Sequence, residues 1–165
     1  INILDLGCGA GNDLFKCRGN KKYINKYLAM DLDEEYITNA RKKYFKILQD
    51  GIKHRNASYE ERKKFSLNNA YGQTAKEFYD ESIFDAQFII EDMTSNTLYL
   101  HPLINTYKPF NLINIQFALH FGFQTNKSIL ALLKTIESAT EKGSYLLCSF
   151  MRDNIIYQRL GQLIN

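Results

Sequence analysis

The sequence predicts an α/β domain built on a doubly wound, mostly parallel sheet with helices on both faces. Three observations carry this. Short apolar runs of strand length alternate with segments of helical periodicity, the pattern of β-α units around a parallel sheet. The first run ends in three glycines at alternate positions, Gly7, Gly9 and Gly11, where a strand can turn tightly into a helix. Strand candidates recur five times, and a sheet of this kind leaves its ligand crevice beyond the carboxyl ends of its strands.

The elements follow in order. Residues 1–6 (INILDL) read as a buried strand. Residues 12–17 can open a helix, with Asn12 available as its cap and Asp13 favoured by the positive end of the helix dipole. Residues 27–31 (YLAMD) are a second strand. Asp33 then caps a helix in which Ile37, Ala40, Tyr44, Ile47 and Leu48 keep helical spacing. Residues from about 51 to 82 are polar and charged. They are expected to form an insertion with some helix and considerable mobility, because so long a connection is unusual in a compact domain. Residues 86–91 (AQFIIE) and 111–117 (NLINIQF) are the third and fourth strands. The next helix sets Ile129, Leu132, Leu133 and Ile136 on one face and is expected to end near Gly143. Residues 144–150 (SYLLCSF) make a fifth strand, and Ile156, Leu160, Leu163 and Ile164 a last amphipathic helix.

Composition narrows the classes. With 165 residues the chain is expected to be one domain, able to bury about 70% of the surface it would expose unfolded. A hydrophobic share of 45% with 24% charged residues is ordinary for a globular protein. No apolar stretch approaches the roughly 18–20 residues of a membrane span, and a signal peptide is not expected, because the first residues read as a strand and not as a basic segment followed by an apolar run. The chain opens on Ile1, directly into that strand, and residues 1–165 are expected to be the core of a longer protein. Cys8, Cys17 and Cys148 show no C-x-x-C pairing, and His54, His101 and His120 are scattered. Neither a metal site nor a disulfide framework is expected, and a reducing interior fits. The net charge of +3 is mild. Arg41, Lys42, Lys43, Lys46, Lys53, Arg55, Arg62, Lys63 and Lys64 nevertheless face only Asp50, Glu60 and Glu61. A solvated helical face is the plainer reading of that run, and a track for a phosphate backbone the sharper one.

The chemistry concentrates in residues 4–11 (LDLGCGAG). The glycine spacing is G-x-G-x-G with Asn12 next, so the dinucleotide fingerprint G-x-G-x-x-G fails. Asp5 stands just before the glycines, where it would repel a pyrophosphate and suit a cationic amino-acid group. Asp31 ends the second strand 20 residues after Gly11, where an acid can accept ribose hydroxyls. Asp92 follows the third strand, where it could accept from an adenine amino group. A ligand with an ammonium, a sulfonium and a free ribose answers this pattern: S-adenosylmethionine.

The stretch LDLGCGAGNDL resembles motif I of the class I methyltransferases. It is most similar to that of the mRNA cap guanine-N7 methyltransferases, commonly D-L-G-C-G-K-G-G-D-L. Residues 111–123 (NLINIQFALHFGF) resemble that family's fourth strand and following loop, with its Q-F-A-L-H-Y run. The resemblance implies a Rossmann-like methyltransferase fold, with further C-terminal strands outside this chain. It further implies S-adenosylmethionine as methyl donor, S-adenosylhomocysteine as product, and methyl transfer to N7 of the terminal guanosine of mRNA. By the same resemblance Asp5, Gly7, Cys8, Gly9 and Gly11 would hold the methionine part of the cofactor, assisted by Asp13. Asp31 with Leu32 would hold the ribose, Asp92 with Met93 would lie by the adenine, and Gln116 would approach the reacting centre. His120 would contact the cap guanine, with Phe121 beside it.

Three departures stand out. Phe121 replaces the family's tyrosine, so a hydroxyl is lost while the aromatic wall stays. Phe150-Met151-Arg152-Asp153 stands where many members place a proline. The family's upstream cofactor-contacting lysine, and its later acid and tyrosine for the guanine, have no counterpart within residues 1–165. Guanine N7 already carries a lone pair, so no catalytic base is expected and His120 reads as a positioning residue. The insertion over about 51–82 is expected to form a mobile, basic surface near the RNA exit. Implied partners are the capped 5′ end of RNA and other capping-enzyme domains or a stimulatory subunit, without a membrane. An intracellular setting is expected: the nucleus for a cellular protein, the cytoplasm or virion for one from a large DNA virus, which the abundance of Asn, Lys, Ile and Tyr suits. Two other readings stay open: a methyltransferase for another RNA, protein or small molecule, and a non-catalytic methyltransferase-like module that supports a partner.

Overall fold

Strand β1 (Asn2–Leu6) is the centre of a five-stranded sheet in a computed structural model that describes residues 1–20, 23–56 and 84–149. β2 (Lys26–Asp31) and β3 (Asp85–Ile90) lie on one side of it, and β4 (Phe110–Gln116) and β5 (Thr140–Ser149) on the other. All neighbours are parallel, in the order β3-β2-β1-β4-β5. The chain winds outward from β1 through β2 to β3, then crosses to the other side of β1 to add β4 and β5. The connections leaving β1 and β4 therefore diverge, and a crevice opens between them at the carboxyl ends.

Alternation along the strands sends side chains to two cores. Leu4, Leu6, Leu28, Met30, Ile113 and Ile115 face α3 (Pro102–Tyr107) and α5 (Asn126–Ala139). Ile3, Tyr27, Ala29 and Phe88 face α1 (Leu14–Gly19) and α2 (Glu34–Asn56). α2 keeps its place through Ile37, Ala40 and Ile47, all buried, each large aliphatic side chain contributing about 1.5–3 kcal/mol. Arg41 Nη2 adds a hydrogen bond to the Phe88 carbonyl at 2.7 Å. The Asp33 cap is present: its Oδ1 accepts from the Glu35 and Tyr36 amides at 2.8 and 3.2 Å.

Several expectations are corrected. Asn12 does not cap α1; Asp13 takes the cap position, without a side-chain capping bond, and Asn12 Oδ1 instead accepts from Lys43 Nζ at 2.7 Å. α2 continues to Asn56, which is helix of the kind expected at the start of the insertion. α5 ends at Ala139 and not near Gly143, because Thr140 adopts extended backbone and pairs at once with Phe110. Gly143, with φ +97°, lies inside β5 where the register slips between Phe110 and Leu112, so it serves a bulge and not a helix end. The buried face of α5 carries Ala131, Leu132, Thr135 and Ala139, while Leu133 is 54% exposed. Two short elements, a 3-10 turn (Leu98–Leu100) and α4 (Leu119–Gly122), lie in stretches with too few residues for a helical period to be legible. The expected helix over 156–164, the run 150–153, the rest of the insertion and Arg62, Lys63 and Lys64 lie outside the described residues. Among the described residues, no helix is long and apolar enough to cross a membrane.

Candidate functional site

The loops after β1, β2, β3 and β4 enclose a cleft of about 650 Å³ at the carboxyl edge of the sheet. The glycine loop forms its floor. The Gly7 and Cys8 amides both donate to the Met30 carbonyl at 2.9 Å, and the Gly9 amide donates to Asp31 Oδ2 at 2.8 Å. These bonds fasten the loop to the end of β2. Gly7, Gly9 and Gly11 all have positive φ, +72°, +52° and +72°, a conformation L-residues disfavour. Their surroundings differ. A Cβ on Gly7 would lie 2.4 Å from Ala118 Cβ, and one on Gly11 2.8 Å from Ala40 Cβ and Leu14 Cδ1. A Cβ on Gly9, which lines the cleft, would meet nothing within 4 Å. Gly7 and Gly11 thus permit close packing, whereas Gly9 keeps room for a ligand.

One half of the cleft is acidic. Asp31, Asp33, Glu91 and Asp92 line it, and no Lys or Arg does among the described residues. Asp31 Oδ1 accepts from the Asp33 amide at 3.0 Å, leaving further lone pairs on both oxygens for a ligand. Asp92 Oδ1 is engaged by the Thr94 amide and hydroxyl at 2.8 and 2.7 Å. Such a wall repels phosphates and favours a cation carrying free hydroxyls. Tyr36, Leu32 and Met93 add apolar surface.

The other half is aromatic. Phe117 and Phe121 line it and are 65% and 51% exposed. Phe117 has φ +57°, a strained state for a bulky residue that tends to occur at functional sites. Its amide is held by the Ser149 carbonyl at 2.9 Å and the Ser149 hydroxyl at 3.2 Å. The His120 ring lies against Phe121, centroids 4.0 Å apart and planes inclined by 38°.

Of the residues expected at the site, Gly7, Gly9, Asp31, Leu32, Asp92, Met93, Gln116 and Phe121 line the cleft. Cys8, Gly11, Asp13 and His120 do not, and Asp5 requires a correction. The residue is 1% exposed, its side chain turned by the alternation of β1 onto the sheet face beneath the start of α1, and it is not among the residues lining the cleft. It accepts there from the Tyr27 hydroxyl and from Asn114 Nδ2 at 2.9 Å. Burial pushes its pKa up to about 6, partly offset by those two hydrogen bonds. Burial likewise raises the thiols of Cys8 and Cys17, so neither is a reactive thiolate. Sequence reasoning missed Asp33, Tyr36, Glu91, Thr94, Phe117, Ala118 and Gln124 as lining residues. The available signal was proximity to a strand's carboxyl end, which applies to Asp33, Glu91, Thr94, Phe117 and Ala118. Among the described residues no group of three His, Cys, Asp or Glu could hold a metal ion.

Solved structures share this fold. An S-adenosylmethionine-dependent methyltransferase from Methanosarcina mazei superposes with a TM-score of 0.54 at 17% identity, over 96% of this chain and 57% of that one. An rRNA methyltransferase from Streptomyces viridochromogenes gives 0.58 at 13% identity, over 90% and 64%. Among sequence relatives, the mRNA cap guanine-N(7) methyltransferase of Schizosaccharomyces pombe is 23% identical over 163 residues, 99% of this chain and 35% of its own length. That of Debaryomyces hansenii is 27% identical over 165 residues, 93% of this chain and 28% of its own length. The chain thus spans about a quarter to a third of the length of these curated relatives. The model of the mRNA (guanine-N(7))-methyltransferase domain matches residues 1–163, nearly the whole chain, and the chain belongs to that family.

Proposed function

We propose that this domain transfers a methyl group from S-adenosylmethionine to N7 of the terminal guanosine of capped mRNA. The observation that carries the reading is a single cleft with an acidic half around Gly9 and Asp31 and an aromatic half at Phe117 and Phe121. The wall fits the cofactor: the space beside Gly9 is one that a Cβ would fill, and the carboxylates suit a cationic ligand with a free ribose.

When bound, the cofactor supplies an electrophilic methyl group on a sulfonium. Asp31, with Leu32, holds the ribose hydroxyls through the lone pairs left after it accepts from Gly9 and Asp33. Asp92 and Met93 border the adenine, and Gln116 lies near the cationic part. Cys8, Gly11, Asp13 and Asp5 act from behind, shaping the loop. Phe121, with His120 against it, holds the guanine plane so that N7 faces the methyl group. No residue has to take a proton, because N7 reacts through its own lone pair. Orientation of this kind can contribute up to about 7–11 kcal/mol.

Competition tests the acceptor. Unlabelled RNA with an unmethylated guanosine cap is expected to suppress transfer to a labelled capped RNA, and the same RNA without a cap to suppress it at least tenfold less. Equal competition by both RNAs contradicts cap recognition and favours another acceptor.

A further inference from the structure

A chain of hydrogen bonds runs from beneath the cleft to its wall. Asp5 and Asn114 are register partners on β1 and β4 and point to the same face, under the start of α1. Gln116, two residues further along β4, follows on that face. Asn114 is 7% exposed. Its Nδ2 donates to Asp5 Oδ1 at 2.9 Å and to Asp13 Oδ2 at 3.1 Å, one hydrogen to each carboxylate. Its Oδ1 accepts from Gln116 Nε2 at 2.9 Å. The reversed amide would set its oxygen against two carboxylates, so the orientation is fixed by chemistry.

The same logic passes to Gln116. Its Nε2 is turned to Asn114 and, at 3.5 Å, towards the Leu147 carbonyl. Its Oε1 accepts from the Ser149 hydroxyl at 2.8 Å, and a carbonyl oxygen keeps a second lone pair. Gln116 lines the cleft, and with both Nε2 hydrogens taken it has an acceptor left to offer a ligand. Ser149 also holds the amide of the strained Phe117, so one network reaches from the glycine loop to the aromatic wall.

We infer that Asn114 is a positioning residue: it turns Gln116 so that its amide oxygen meets the ammonium group of the bound methyl donor, and it ties that setting to the carboxylates beneath the glycine loop. This rests on the reading of the cleft as the S-adenosylmethionine site. Asn114 touches no ligand itself and acts through Gln116.

The test is calorimetric titration of full-length protein with S-adenosylhomocysteine and with its analogue lacking the amino group. Asn114→Ala is expected to weaken S-adenosylhomocysteine about tenfold, the scale of one hydrogen bond to a charged group. It should leave the deaminated analogue within about twofold of wild type. Ser149→Ala, which removes only a half-exposed hydroxyl and keeps the fold if Asn114→Ala does not, is expected to give the same pattern. The double variant should lose about tenfold and not a hundredfold, since both act through one glutamine. A merely structural role weakens both ligands equally, and that result overturns the inference, as does unchanged affinity for S-adenosylhomocysteine. Wild-type binding without methylation of capped RNA defeats the proposed acceptor and leaves this inference standing. Absence of wild-type binding removes the cofactor reading and this inference with it.

Discussion

Replacing Gly9 and Gly11 by alanine, one at a time, separates ligand space from packing. Both residues have left-handed backbone, at φ +52° and +72°, and a side chain there costs about 1–2 kcal/mol. For Gly9→Ala that is the whole structural cost, because the added Cβ meets no atom within 4 Å. For Gly11→Ala the Cβ also overlaps Ala40 Cβ and Leu14 Cδ1 at 2.8 Å, and overpacking adds about 1–3 kcal/mol. The total is then about 2–5 kcal/mol. Binding should rank the other way. Gly9→Ala places a methyl group in the cleft, and its affinity for S-adenosylhomocysteine is expected to fall at least thirtyfold. Gly11→Ala adds its methyl group outside the cleft wall and should lose less than tenfold wherever the variant remains folded. Denaturant unfolding gives the first quantity and calorimetric titration the second. Gly9→Ala binding within twofold of wild type would refute the placement of the cofactor against this loop.

Asp31→Ala should weaken cofactor binding by at least tenfold, read by the same titration, because it removes both the acceptor for the Gly9 amide and the carboxylate lining the cleft. Phe117→Gly should leave stability unchanged or raised by about 1 kcal/mol, since strain at φ +57° is relieved and a 65% exposed ring is lost. Methyl transfer by the same variant should nevertheless fall at least tenfold in a single-turnover assay. Asp5 makes stability depend on pH with an unusual sign. Its folded pKa of about 6 exceeds the ordinary 3.8, so between these values the folded state keeps a proton that the unfolded chain has released. Its contribution is complete below 3.8 and is lost as pH rises through 6, by about 3 kcal/mol. A carboxyl ¹³C titration should find its midpoint near 6, and a midpoint near 4 contradicts the burial argument.

The strand pattern was legible because β1, β2 and β4 carry apolar residues to two cores, and the glycines sat where a parallel sheet opens. The acids Asp31 and Asp92 were legible for the same reason, Asp31 closing β2 and Asp92 following the end of β3. Asp5 was misplaced because spacing along the chain does not say which face of β1 it takes. Its partners Tyr27 and Asn114 come from other strands, and only the register Asp5–Asn114 brings them together. Gly143 was misread because a glycine after a helical run serves a helix end or a strand bulge equally well, and pairing with β4 decided for the bulge. The strain at Phe117 was invisible for a similar reason: no local preference favours it, and Ser149 from β5 holds it in place.

The most direct measurement is transfer of label from S-adenosylmethionine to RNA by the full-length protein, followed by digestion and identification of the labelled base. RNA ending in an unmethylated guanosine cap should acquire 7-methylguanosine, and RNA already methylated at N7 should acquire no label. Label in both RNAs, or in an internal base, would contradict the account.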